Sequence, residues 1–74
     1  MMNMPSQQVI EMLRKNYPEG TRVELVSMDD PYAKLPKGTQ GTVDLVDDMG
    51  TIHVSWDNRS RLGVVFGEDI INKL

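Results

Sequence analysis

Three short segments constrain this chain more than any other feature. Thr21–Val26, Gly41–Val46 and Thr51–Trp56 each alternate apolar and polar residues. A period of two marks a strand with one buried face, because successive side chains leave opposite sides of the backbone. Turn residues separate the segments. Asp47-Asp48-Met49-Gly50 reads as a four-residue hairpin connection in which Gly50 takes positive φ. Asp57-Asn58-Arg59-Ser60 reads as a second turn.

Two more strands complete the set. Arg61–Phe66 puts Leu62, Val64 and Phe66 in phase, and Ile70–Leu74 follows after the turn Gly67-Glu68-Asp69. The alternation predicts a core of Val23, Leu25, Val43, Leu45, Ile52, Val54, Leu62 and Val64. Trp56 shares the inward phase. The first connection, Ser27 to Gln40, is long at about 14 residues, and loops of that length are often functional. This order of loops and strands predicts a mainly β fold, a small five-stranded SH3-like barrel. An OB-fold also has five strands but needs a helix where this chain has only a turn.

One helix precedes the strands, over residues 5–16. Ser6 offers its hydroxyl as N-cap, and Pro18 ends the helix by pushing Tyr17 out of helical geometry. Val9, Met12 and Leu13 form an apolar stripe at i, i+3 and i+4. So short a helix is marginal alone, so it is expected to dock on the barrel or on a second copy. The whole chain, 1–74, then reads as one domain, with the barrel over 20–74.

Composition bounds the function classes. There is no cysteine, which excludes disulfides and cysteine-based zinc sites. No apolar run approaches the ~20 residues that span a bilayer, and the N-terminus lacks the basic start and apolar run of a signal peptide. The expectation is a cytoplasmic protein with no membrane partner. The net charge of -3 opposes phosphate backbones at long range.

The residues also resemble a known family. Tyr17-Pro-Glu-Gly-Thr-Arg-Val-Glu-Leu25, Asp29-Asp-Pro-Tyr32, Pro36-Lys-Gly-Thr-Gln-Gly-Thr-Val43, Ile52-His-Val-Ser-Trp-Asp-Asn58 and Gly67-Glu-Asp69 are similar to the bacterial DUF4314 family, a domain of unknown function. The resemblance implies a link to phages, plasmids and conjugative elements. It implies no activity and no functional residue. The family pattern has Gly after Trp-Asp-Asn, where this chain has Arg59. A turn of unchanged shape would hold Arg59 at positive φ, at about 1 kcal/mol. The expectation is therefore a different turn, or Asn58 in the left-handed position.

The candidate site is acidic. Asp29, Asp30, Asp47 and Asp48 lie in the first two loops of the barrel, which such a fold sets side by side. Four carboxylates there suit a basic, Pro-containing segment. They also suit a divalent cation, although no calcium-loop spacing is present. The plain alternative is that aspartate caps its own turn. Tyr32 and Phe66 are the candidate aromatic partners, Phe66 also being in phase with the core. His53, the sole histidine, reads as a surface strand residue, with no nucleophile arranged beside it. Lys34 and Lys37 in one loop, and Arg59 and Arg61 in another, read as two separate solvated groups.

These residues point to a non-catalytic binding or adaptor module, with no cofactor and no metal. The expected partner is a protein, either a basic segment or a second copy. The alternative is a nucleic-acid-binding module of the KOW type.

Overall fold

The structure, a computed structural model, describes residues 5–28 and 35–74. Its elements are α1 (Gln7–Asn16), β1 (Arg22–Ser27), β2 (Gln40–Val46), β3 (Thr51–Trp56), β4 (Gly63–Val65) and β5 (Ile70–Lys73). The strands form one antiparallel sheet in the order β4-β3-β2-β1-β5. The sheet is mainly a meander, with β5 returning to lie against β1. Among the described residues no ladder joins the two edge strands, and a bridge from Phe66 to Asp69 spans the corner between them.

The period-two pattern places most of the core correctly. Val23, Leu25, Val43, Ile52, Val54, Trp56 and Val64 are buried, and Leu62 packs partly buried against them. Leu45 is the exception, at 53% exposed. Val43 pairs Val54 while Leu45 pairs His53, so the register slips by one residue between them. A bulge there gives β2 an extra residue, which reverses the parity of everything after it. Val46 therefore turns inward, opposite Ile52, and Leu45 outward.

The helix is rotated relative to its expected stripe. Ser6 caps it by accepting from the Val9 amide at 3.2 Å. Ile10 and Leu13 are buried and Val9 is half-buried, whereas Met12 is 43% exposed. Ile10 and Leu13 are one turn apart, so they define the docked face as well as the expected trio does. Arg14 fixes the helix to the sheet. Its Nε donates to the Val46 carbonyl at 3.2 Å, and its guanidinium meets the Asp48 carboxylate at 2.7 Å.

Close backbone approach explains one glycine. A Cβ at Gly41 would lie 2.7 Å from Val54 and 2.8 Å from the Trp56 ring. Gly41 thus leaves the space that Val54 and the indole of its cross-strand partner Trp56 occupy. The indole Nε1 then donates to the Leu62 carbonyl at 2.9 Å. The turn after β3 keeps the shape that strains a side chain, because Arg59 itself has φ 73°. Asn58 does not take that position; its side chain accepts from the Ser60 amide instead.

Candidate functional site

Antiparallel order decides where the loops lie. β2 runs from Gln40 to Val46, about 20 Å at ~3.3 Å per residue. The β1–β2 loop enters β2 at Gln40, and the turn holding Asp47 and Asp48 leaves it at Val46. The anchors of these two loops are therefore at opposite ends of the sheet, not side by side as the barrel expectation had them. Asp29, Asp30 and Tyr32 lie outside the described residues.

The other two acidic candidates have internal work. Asp47 Oδ1 accepts from the backbone amides of Met49 and Thr51, both at 2.9 Å, and its Oδ2 meets His53 Nε2 at 2.8 Å. That is the turn-capping role that aspartate favours. The His53 hydrogen bond, with the two amides, holds the Asp47 carboxyl below the usual range. Asp48 is exposed and pairs with Arg14. Among the described residues, no group of three or more His, Cys, Asp or Glu is placed to hold a metal ion.

A second ion pair crosses the sheet face. Arg22 on β1 grips Asp57 with both nitrogens, at 2.9 and 2.6 Å, and donates to Thr42 at 2.9 Å. The Arg22 hydrogen bond lowers the Asp57 carboxyl, and Asp57 in turn raises Arg22. Both side chains are close to half exposed, so the pair contributes little stability. Its effect is positional, since it holds the β3–β4 turn against β1.

Phe66 lines a concavity beside the helix. A groove of about 330 Å³ opens between α1 and the β4–β5 corner. Leu13, Ile52 and Val64 form its buried floor, and Met12, Phe66 and Ile70 stand around it at 43%, 46% and 55% exposure. The corner that places Phe66 is tightly tied. Val65 donates its amide to Asp69 Oδ2 at 2.8 Å, and its carbonyl accepts from the Glu68 and Asp69 amides. Both polar groups of Val65 are consumed, so the chain swings sharply and leaves Phe66 outside the core. The inward phase of Leu62 and Val64 therefore stops short of Phe66.

The sequence reading named Phe66 but missed Met12 and Ile70. Met12 was assigned to the docked stripe, and Ile70 is an ordinary strand residue until the free edge of β5 is known. Only the packing of α1 over the corner brings the three together. The cations also move relative to expectation. The β1–β2 and β3–β4 connections lie at the same end, joined by the Asp57 amide donating to the Gln40 carbonyl at 2.8 Å. Lys37, Arg59 and Arg61 thus share one end of the sheet, all exposed. Lys34 lies outside the described residues.

No helix among the described residues is long and apolar enough to cross a membrane. No curated protein and no solved structure matches the chain. The family model for the domain of unknown function DUF4314 does match, over residues 6–74, and the chain belongs to that family.

Proposed function

We propose that this chain is a non-catalytic protein-binding module whose working face is the groove between α1 and the β4–β5 corner. The observation that carries the reading is Phe66, an aromatic side chain left 46% exposed beside an apolar floor. A few exposed apolar anchors around a small concavity are the usual core of a binding surface. The occupant is an apolar segment flanked by basic residues. Glu68 and Asp69 stand next to Phe66, and the net charge of -3 favours a cationic partner. The reading includes an SH3-like architecture, supported by the strand order and by the corner bridge between β4 and β5. A cytoplasmic role as an accessory protein of a mobile element fits what the family resemblance implies.

The test is affinity capture from the native cell, with and without nuclease, using wild type and Phe66→Ser. Nuclease-resistant capture that Phe66→Ser abolishes supports the groove. A second reading, nucleic-acid binding, is favoured by Lys37, Arg59 and Arg61 sharing one end of the sheet. Nucleic acid that co-purifies with wild type and is lost on Arg59→Ala with Arg61→Ala would put that reading first.

A further inference from the structure

A second surface lies at the opposite end of the sheet from the groove. Phe66 follows Val65, which pairs with Thr51 at the start of β3. Lys37, Arg59 and Arg61 lie where β3 finishes and β2 begins. All three residues are exposed, and none makes an ion pair among the described residues. Arg22 stands beside them, engaged by Asp57. Glu24, opposite Gln40, is a further carboxylate. Among the described residues this end therefore sets Arg22, Lys37, Arg59 and Arg61 against Asp57 and Glu24. The net charge of -3 does not reverse that excess at contact range. Asp47 and Asp48 follow the far end of β2, about 20 Å from Gln40 at ~3.3 Å per residue. Surface charges are screened over ~8 Å at physiological salt. Arg59 adds an observation of a different kind. Its φ of 73° strains a residue that carries a side chain. No hydrogen bond or ion pair of that side chain offsets the strain among the described residues. Strain without an internal contact to compensate it points to a side chain kept for a ligand.

From this arrangement we infer that Lys37, Arg59 and Arg61 grip the phosphate backbone of a nucleic-acid duplex, with Arg59 held in strained backbone because its guanidinium serves the ligand and not the fold. The inference rests on the second reading above and is independent of the groove. Three spread cations gain most from the densest line of anions. A duplex carries one charge per ~1.7 Å of axis, against one per ~3.4 Å along a single strand. Single-strand binders also need exposed aromatic side chains on which bases stack. The described aromatics do not supply them here. Trp56 is 3% exposed, and Tyr17 and Phe66 line the groove at the other end. The guanidinium fork matches phosphate oxygens in pairs, which suits Arg59 and Arg61. Contacts of this kind position a protein on a duplex without reading its bases.

Fluorescence anisotropy tests this with four labelled probes: a short DNA duplex, the same duplex as RNA, its single DNA strand, and polyglutamate of similar length. Wild type should bind either duplex more tightly than the single strand or polyglutamate, and the tighter duplex names the polymer. Three phosphate contacts give a slope of about -2.7 for log affinity against log salt, roughly a 40-fold fall between about 50 and 200 mM. Arg59→Gly relieves the strain, so it stays folded while losing the contact. It should weaken duplex binding several-fold and bring the slope to about -1.8. Lys15→Ala removes one cation from α1 and serves as the matched change in net charge. It should leave affinity and slope as in wild type. Tighter binding to the single strand overturns the duplex inference and leaves nucleic-acid binding standing. No binding to any nucleic acid at about 50 mM salt overturns both. Polyglutamate bound as tightly as the duplex, or equal losses in Arg59→Gly and Lys15→Ala, also overturns the inference.

Discussion

Arg14 and Asp48, 34 residues apart in the chain, meet at 2.7 Å and tie the helix to the β2–β3 turn. The contact places the acidic turn in service of the fold. Arg14 also holds the Val46 carbonyl, so its two bonds differ in kind. The ion pair is exposed and contributes at most about 1 kcal/mol. Asp48→Asn should therefore cost well under ~1 kcal/mol, and Arg14→Ala about 1–2 kcal/mol, because it also frees the carbonyl bond. Urea unfolding of both variants and the double variant measures the difference. Equal costs for the two single variants would show that the carbonyl bond contributes nothing.

The bulge in β2 makes a paired prediction. Leu45→Ala should cost less than about 1 kcal/mol, since the side chain is already in water. Val54→Ala, at 1% exposed, should cost about 2 kcal/mol, and Trp56→Ala about 3–5 kcal/mol. Chemical denaturation ranks the three. A Leu45→Ala cost matching that of Val54→Ala would show that no bulge exists and that the alternation continues through β2.

Arg59 occupies a backbone conformation better suited to glycine, at φ 73°. Left-handed geometry costs a side-chain-bearing residue about 1 kcal/mol or more, offset in part by the greater freedom of unfolded glycine. Arg59→Gly should raise stability by up to ~1 kcal/mol. Thermal unfolding reads this as a shift of a few degrees. A loss of stability would mean that the Arg59 side chain makes a contact that outweighs the strain.

Asp47 gives the fold an acid dependence with a definite sign. Its carboxyl is held below the ordinary value of 3.8, first by the His53 hydrogen bond. A depressed folded value adds stability above the unfolded value and loses it as pH falls through the folded one. Stability should therefore decline below about pH 4, and Asp47→Asn should flatten that decline. Asp47→Ala also removes both amide caps and should cost about 1–2 kcal/mol at neutral pH. Urea midpoints measured across the acid range test both statements. An unchanged acid slope in Asp47→Asn would remove this carboxylate as the cause.

The strands, their antiparallel turns and most of the core were written in the local pattern of the sequence. Val23, Leu25, Val43, Ile52, Val54 and Val64 announce themselves because a half-buried strand must alternate. The N-cap at Ser6 and the capped turn at Asp47 were legible for a similar reason, since both depend on residues within four positions. What the pattern did not carry was anything set by contact at long range. A bulge adds one residue against a partner strand, so the outward turn of Leu45 exists only once β2 meets β3. The helix face was misread at Met12 because several stripes are nearly equal until Leu13 and Ile10 find the sheet. The groove at Phe66 and the free edge of β5 belong entirely to tertiary structure. They arise where one strand ends, the chain turns a corner through Asp69, and no strand among the described residues lies beside the outer side of β5.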